Sequence, residues 1–461
     1  MNRASTTDRI CLALPTNRAC SAALSEIAEE AAYAARTFAV EVHLLILDSC
    51  DATTRAEHAR VVAELPITPK VTVHHFDEAG QRVFLRRAIE RSGLAAPERM
   101  LDLMLPGDLS YGACTNRAFL IASALGCRSV HRRDSDCTYQ VHDGERVFPI
   151  HHELASLGRS AAEASAAVTE TVLAAAHAHR PVSMVGSSFI GEPSVDIAEI
   201  ERLDAGVYHD VVSLWGPMDW PEERKRQLVD DSFKGAGTTP FTGDHSTLTL
   251  VDPMRVDMSN IGFHHEVYER VPLPPATDTI GSDYFLIHLV HDAALPGVLH
   301  NRNIENFYTP FRRTDAGFRA YQMRFVKFLL SMLYFNFVYD RMGSAGPALL
   351  DEREHVRGDV ISGLLRESAD LDTGENIWRL DRVSTAYRKL GGRYTEFADL
   401  MDARRGQLLD EARQDAQDFA LLIDGWPALV AAVRETGLGS ADALGSADGL
   451  GSADGLGSAE G

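Results

Sequence analysis

Residues 111–136 read YGACTNRAFLIASALGCRSVHRRDSD, and this stretch decides the fold class. Residues 115–125 are mostly small or apolar, which is typical of a buried helix, and Gly126 is suited to end that helix. Residues 128–131 form a short strand candidate, and Asp134-Ser135-Asp136 follows it closely. A helix, a strand and then polar residues is the rhythm of a parallel α/β sheet, in which ligands bind beyond the carboxyl ends of the strands.

The preceding residues repeat the same rhythm. Strands are predicted at 9–14, 42–47 and 70–75, and helices at 22–35, 52–65 and 83–92. The fold class predicted from this alternation is α/β, with a Rossmann-like, mostly parallel sheet flanked by helices.

Beyond residue 317 the strand signals give way to long helical patterns, predicted over 319–340, 349–367, 377–391 and, with breaks, 394–433. The chain then ends in a six-residue repeat close to LGSADG, which starts at Leu438, Leu444, Leu450 and Leu456. This repeat has little to bury. We therefore expect three parts: 1–316 as the sheet domain, 317–435 as a helical extension, and 436–461 as a disordered acidic tail.

The composition narrows the function classes. A net charge of −21 argues against a general affinity for nucleic acid or for anionic membranes. The six cysteines form no CxxC pair, which argues against a metal cluster or a disulfide framework. The polar residues 1–8 lack the apolar stretch of a signal peptide, so a cytoplasmic protein is predicted. The Ala- and Arg-rich composition favours a bacterial source and a soluble small-molecule acceptor of the natural-product type.

Polar residues follow three of the predicted strands. Pro15-Thr16-Asn17-Arg18 follows the first strand, Asp48-Ser49-Cys50-Asp51 the second, and Asp134-Ser135-Asp136 the fourth. Two carboxylates at a strand end suit a hard cation such as Mg²⁺ or Mn²⁺, which takes carboxylates together with substrate phosphates. Turn and N-cap chemistry explains the first two segments equally well, and surface salt bridging explains Arg132 and Arg133.

Together these segments resemble the GT-A-type, nucleotide-sugar-dependent glycosyltransferases. The Gly112-to-Arg117 helix start, the short strand and the Asp-Ser-Asp segment occur in the order of that family. The resemblance implies a nucleotide-sugar site and a metal site. For the nucleotide sugar it implies Pro15, Thr16, Asn17, Arg18, Asp48, Asn116, Arg117, Arg133 and Asp134. For the metal, Mn²⁺ or Mg²⁺, it implies Asp134, Asp136 and His300.

A second block extends the resemblance toward the acceptor. Ser259-Asn260-Ile261-Gly262-Phe263-His264-His265-Glu266 and Gly281-Ser282-Asp283 are similar to segments of the inverting, family-2-like enzymes. In that family an Asp at the position of Asp283 is the general base, and Asn260, His264 and Ser282 would lie on the acceptor side. Two histidines replace an arginine pair, and Ser282 replaces a glutamate. Alternatively, Asp283 is the N-cap of the helix that follows it.

The function implied is a hexosyltransferase-like glycosyltransferase that uses a UDP- or GDP-sugar and a small acceptor, with a homodimer through the helical extension as a further expectation. Inversion follows if Asp283 is the base. A retaining reaction stays open, because the Asp-Ser-Asp and the late His are equally similar to glycosyl-phosphoglycerate synthases. The alternatives are a non-catalytic nucleotide-sugar-binding or scaffold protein and a nucleotidyltransferase. Phosphate-loop, dinucleotide-binding, nucleophile-elbow and zinc-protease motifs are absent from the sequence.

Overall fold

The computed structural model describes residues 8–193, 197–307 and 310–439. The predicted tail, 436–461, falls almost wholly outside the described residues. Within them the strands are β1 Arg9–Thr16, β2 Glu41–Asp48, β3 Val71–Asp77, β4 Ser129–Arg133, β5 Cys137–Tyr139, β6 Val141–His142, β7 Glu145–Arg146, β8 Glu170–Thr171, β9 Met184–Gly186, β10 Phe189–Gly191, β11 Ser246–Thr249, β12 Asn260–His264, β13 Gly297–His300 and β14 Ile304–Asn306.

The helices begin with those that accompany the sheet: α1 Ser21–Phe38, α2 Ala52–Glu64, α3 Glu78–Ser92, α4 Pro97–Met104, α5 Tyr111–Leu125, α6 Ile150–Ser156, α7 Ala161–Ala164, α8 Ala198–Leu203, α9 Ala205–Val212, α10 Glu222–Asp231, α11 His265–Tyr268 and α12 Phe285–Asp292. The C-terminal helices are α13 Asp315–Ala345, α14 Gly358–Ala369, α15 Gly374–Leu390, α16 Arg393–Ala403 and α17 Arg405–Thr436.

A nine-stranded sheet organises the described part of the chain, in the order β3-β2-β1-β4-β12-β9-β13-β11-β8. The first four strands are parallel, and β12 runs antiparallel to both of its neighbours. The continuous apolar runs of β1 and β2 are buried, as expected for central strands covered on both faces. The predicted fold class, a mostly parallel α/β sheet flanked by helices and followed by a helical extension, is confirmed.

The C-terminal helices pack onto the sheet layer rather than standing apart from it. One apolar cluster runs from Phe119 and Phe263 beside the sheet to Phe419 and Trp426 of α17. The Trp426 indole also donates a hydrogen bond to the carbonyl of Tyr268 (2.8 Å). A second cluster packs α1 against the other face of β1 and β2.

The predicted helix at 349–367 is shorter than expected. Residues 350–357 form a turn instead, because the Asp351 carboxylate accepts hydrogen bonds from the backbone N–H groups of Arg353 (2.8 Å) and His355 (2.9 Å). Such side-chain bonds compete with helix formation, and α14 begins only at Gly358.

Among the described helices, α17 is long and apolar enough to cross a membrane by length and composition. In its most apolar window 67% of the residues are buried inside the protein, which is the position of a core helix.

Candidate active site

Strand register brings the polar strand ends to one edge of the sheet. Thr16 of β1 pairs with Asp48 of β2, and Ala13 of β1 pairs with Arg132 of β4. The segments after β1, β2 and β4 therefore emerge side by side. Between them, the first turns of α5 and the residues 321–339 of α13 lies a cavity of about 340 Å³.

Four of the carboxylates that line this cavity interact with one another: Asp134, Asp136, Asp257 and Asp283. Burial is the main reason that the pKa of Asp134 is raised to about 6; the charges of the other three carboxylates act in the same direction, and Arg132 opposes them. Negative charge is thus concentrated at the end of β4. This is the setting in which a cation or a bound proton lowers the free energy.

Three arginines interleave with these carboxylates. Arg18 and Arg312 both pair with Asp136, with Arg312 Nη2 at 3.2 Å from Asp136 Oδ2. Arg132 pairs with Asp283 and lies 3.0 Å from Asp134. Burial lowers the pKa of Arg18, but Asp136 and the other acidic groups around it together raise that pKa above its usual value, so the guanidinium stays charged.

The predicted nucleotide-side residues divide into two groups. Pro15, Thr16, Asn17, Arg18, Arg117 and Asp134 line the cavity. Asp48, Asn116 and Arg133 do not line it, and hydrogen bonds within the protein account for each of these three.

Asn116 holds the chain rather than facing the cavity. Its amide nitrogen donates to the Leu273 carbonyl (2.8 Å) and its amide oxygen accepts from the Leu273 N–H (2.7 Å). One turn earlier, a Cβ at Gly112 would lie 1.9 Å from the carbonyl oxygen of Pro274, so only glycine fits. The helix-start motif thus fixes the segment that leads to Asp283.

Arg133 is buried on the other face of the sheet. It pairs with Glu30 (2.8 Å) and Glu153 (3.1 Å), which hold its pKa above the usual value against the effect of burial. Side chains alternate between the two faces of a strand, so Arg132 and Arg133 point opposite ways. Only Arg132 faces the cavity.

Asp48 anchors a buried cluster beneath the two strand-end segments. It accepts hydrogen bonds from His58 (2.9 Å), His75 (2.9 Å) and the Cys50 N–H (3.0 Å). Ligand atoms of Asp48, Cys50 and His58 lie within 4.8 Å of one another, the one such three-residue group in the described residues. These bonds satisfy the carboxylate, and burial raises the pKa of Cys20 beside His58 to about 11. The cluster thus positions the two segments that line the cavity.

His300 is not brought to the two aspartates. It lies at the end of β13, which β12 and β9 separate from β4, and its ring stacks on His152 of α6 (5.2 Å). Its Nδ1 accepts a hydrogen bond from the Arg302 N–H (3.2 Å), and burial lowers its pKa well below the usual value. The structure therefore places one of the three predicted metal ligands outside the cavity.

The predicted acceptor-side residues are also dispersed. Because β12 is antiparallel to β4, Asn260 pairs with Arg133 but His264 pairs with Ser129, at the opposite edge of the sheet from the cavity. Asn260 donates to the carbonyls of Ser188 and Arg302 (3.0 Å each). Ser282 lies outside the main cavity, whereas Asp283 lines it.

The sequence interpretation missed Asp257 and Arg312. Asp257 precedes β12 and accepts hydrogen bonds from the Ser259 N–H (2.9 Å) and from the Tyr284 hydroxyl. The sequence held no signal for Asp257, because its place at the cavity depends on the antiparallel direction of β12. Arg312 precedes α13, and no local pattern indicates its contact with Asp136.

A family model matches residues 8–442. The chain belongs to DUF6271, a family of unknown function. No curated protein sequence matches it.

Three solved structures are similar in part. Mannosyltransferase PcManGT from Pyrobaculum calidifontis, in complex with GDP-Man and Mn²⁺, has 12% identity and a TM-score of 0.35, over 94% of this chain and 88% of that one. A mycobacterial protein has 14% identity and a TM-score of 0.32, over 70% and 74%. Core-mannan synthase A from Aspergillus fumigatus, in its Mn/GDP form, has 8% identity and a TM-score of 0.23, over 63% and 65%. Similarity at this level assigns no activity to this DUF6271 member.

Proposed function

We propose that this chain is a glycosyltransferase that moves a sugar from a nucleoside diphosphate sugar to a small acceptor, with the help of a divalent metal. One observation carries the proposal. Among the residues that line the cavity, four interacting carboxylates and three arginines that pair with them lie together at the edge of the sheet where the parallel strands end. This is the edge at which α/β sheets bind their ligands, and the charges suit a diphosphate with its cation.

The arginines supply the donor side of the site. Arg18 and Arg312 share one carboxylate, Asp136, in the described structure. A guanidinium presents paired donors that match phosphate oxygens, so both side chains can exchange Asp136 for a diphosphate. The adjoining segment Pro15–Asn17 and Arg117 would contact the rest of the nucleotide. Thermal unfolding with UDP- and GDP-sugars distinguishes the two possible bases.

The residues present fit a divalent metal. The donor atoms that face the cavity at the end of β4 are carboxylate oxygens, which Mg²⁺ and Mn²⁺ prefer. The raised pKa of Asp134 marks a carboxylate that a cation would keep ionised. Asp134 and Asp136 would hold the metal, with Asp257 beside them. When bound, the metal neutralises charge on the departing diphosphate.

The general base in this proposal is Asp283. It lines the same cavity, and Arg132 holds its carboxylate in position. As general base it would accept the proton of the acceptor hydroxyl as that oxygen attacks the sugar. Direct displacement of this kind inverts the anomeric carbon. A retained product anomer, identified by NMR, would remove Asp283 from that role.

The remaining expectations stay part of the proposal. The protein would act in the cytoplasm, without nucleic acid or membrane as a partner, on a hexose donor. A homodimer would use the helical extension. The net charge of −21 disfavours nucleic acid and anionic membranes as partners.

The test is thermal unfolding of the full chain with UDP-, GDP-, ADP- and dTDP-sugars, each with and without Mn²⁺ or Mg²⁺. A ligand at about a hundredfold its dissociation constant adds nearly ~3 kcal/mol of stability. We expect one nucleotide class to stabilise the wild type only with metal, and Asp136→Asn to lose that response. The control is Asp102→Asn, an exposed carboxylate on α4. No response from any nucleotide would remove the proposal.

A second candidate is a non-catalytic nucleotide-sugar-binding protein. The observation that favours it is the ion pair between Arg132 and Asp283, because Arg132 would compete with an acceptor hydroxyl for that carboxylate. It predicts metal-dependent donor binding without donor hydrolysis and without transfer to any acceptor. Donor turnover by the wild type that Asp283→Asn abolishes would exclude it. A nucleotidyltransferase is disfavoured, because the N-terminal segment lacks a Gly-rich loop with following Arg and Lys.

A further inference from the structure

The cavity has a second, apolar half that the charged residues do not use. Trp215 and Phe233 line it together with four residues of α13: Phe328, Met332, Phe335 and Tyr339. We call this part the aromatic lobe.

The aromatic side chains that form the lobe pack against one another. Trp215 stacks on Phe233 (5.3 Å between centroids) and meets Phe328 edge-on (5.2 Å). On the far wall, Tyr339 stacks on His288 (3.9 Å). Offset-stacked and edge-to-face rings are the favoured arrangements of aromatic pairs, so the walls hold one another in place.

Backbone strain accompanies the position of one wall. Phe233 has a φ of +61°, which is unusual for a bulky residue. The turn that follows is fixed by a hydrogen bond from the Ala236 N–H to the Phe189 carbonyl (2.8 Å). Strained residues that persist in a well-packed setting cluster at ligand-binding sites.

Strand order separates the lobe from the nucleotide side. The nucleotide-side segments follow β1 and β2, the carboxylates lie at the ends of β4 and β12, and Phe189 follows β9 on the other side of β12. The turn after Phe233 packs on Phe189, so the lobe lies beyond the carboxylates. Asp283 joins the two halves, since a Cβ on its neighbour Gly281 would lie 2.9 Å from the Phe328 ring.

Most of the surface of these walls is apolar ring and thioether. Burial lowers the pKa of His288 to about 3, so its imidazole carries no charge, and the Ser331 hydroxyl already donates to the Phe328 carbonyl (2.8 Å). A sugar or glycerate acceptor has a polar group on nearly every carbon, and the few ring N–H and hydroxyl groups of Trp215, His288 and Tyr339 cannot pair with all of them, which is costly. The flat apolar part of a ligand, in contrast, would be buried against side chains on each wall of the lobe.

We infer that the acceptor is an amphipathic alcohol whose apolar, ring-bearing portion fills the aromatic lobe and whose hydroxyl group points to Asp283. The inference rests on the proposed function for the role of that hydroxyl, but the binding of an aryl group to the lobe can be measured without turnover. It adds a substrate class to the site, with Trp215 and Phe328 as the residues that select it.

The experiment is calorimetric titration of the full chain with 2-naphthol and 4-phenylphenol, and with methyl mannoside and glycerol as polar probes. We expect the aryl alcohols to bind and the polar probes not to bind. Trp215→Ala should weaken aryl binding about tenfold, whereas Trp215→Phe, which keeps a ring, should stay within about threefold. Trp378→Phe, on α15 outside the cavity, is the control and should change nothing.

Nucleotide-sugar binding with metal is measured on the same variants, and this separates the two proposals. Aryl binding without nucleotide binding would remove the transferase and keep the lobe. Nucleotide binding without aryl binding would overturn the inference and keep the transferase. If Trp215→Ala weakens nucleotide binding instead, the lobe holds the nucleobase and the inference is wrong.

Discussion

Arg132, at the end of β4, forms a buried ion pair with Asp283, 151 positions further along the chain. The pair joins the centre of the sheet to the segment that carries the proposed base. Arg132 also contacts Asp134 (3.0 Å), so one guanidinium positions both halves of the charged site. The two side chains are 4% and 7% exposed, which makes the pair sensitive to loss of either partner.

The first prediction concerns this pair. Arg132→Met should lower the free energy of unfolding by about 3–5 kcal/mol, because it leaves buried carboxylates without their cation. Asp283→Ala should cost less, because Arg132 keeps its pair with Asp134. The double variant should lose less than the sum of the two, as urea unfolding measures. The control is Arg9 with Glu41, an exposed pair 2.9 Å apart, where each change should cost below about 1 kcal/mol. Additive losses at Arg132 and Asp283 would show that the pair does not act as a unit.

Gly112 provides the second prediction. A Cβ there would meet the Pro274 carbonyl at 1.9 Å, and backbone cannot move aside as a side-chain tip can. Gly112→Ala should therefore destabilise the protein by about 2 kcal/mol or more. Gly363 on α14 has open space around it, so Gly363→Ala should stabilise by about 0.5–1 kcal/mol. Equal thermal unfolding of both variants would mean that the α5 start does not touch Pro274.

The parallel half of the sheet could be predicted because the sequence patterns that indicate it are local. Apolar runs at β1 and β2 need cover on both faces, and each is followed by polar residues at the ligand edge. Arg18 and Asp134, which follow β1 and β4, line the cavity for that reason, and their roles stay predictions.

The positions of the acceptor-side residues could not be predicted, because they depend on the direction in which β12 runs. The sequence around His264 gives no sign that β12 runs antiparallel, and that reversal puts Asp257 at the cavity and His264 at the opposite edge. His300 has the right strand end but the wrong face, where it stacks on His152. The aromatic lobe joins Trp215 to α13 through packing alone, and no spacing in the sequence records that contact.

The third prediction is a pH dependence of stability from Asp415 on α17. Burial raises its pKa to about 7, with help from Asp418 and Glu411 and against Lys327. A carboxyl with a raised pKa favours folding when protonated, so its contribution is complete below its unfolded pKa of about 3.9 and is lost as pH rises through 7.

Asp415→Asn keeps the neutral state at every pH. It should raise stability by about 1–2 kcal/mol at pH 8, less than the full shift implies because the group is partly exposed, and leave it nearly unchanged at pH 4. Thermal unfolding at the two pH values measures the difference, with the exposed Asp102→Asn as the control. A gain that is the same at pH 4 and pH 8 would show that Asp415 does not titrate in this range.

The fourth prediction separates the two placements of the metal. Asp136 faces the cavity, whereas His300 lies against α6, with Nδ1 engaged by the Arg302 N–H. We expect Asp136→Asn to weaken Mn²⁺ binding tenfold or more, Asp257→Asn to weaken it less, and His300→Asn to change it by less than about twofold. Electron paramagnetic resonance of free Mn²⁺ in titrations of the full chain measures all three, and near-ultraviolet circular dichroism confirms that each variant is folded. If His300→Asn weakens binding as much as Asp136→Asn does, His300 is a metal ligand and the assignment of the metal to the cavity carboxylates alone is wrong.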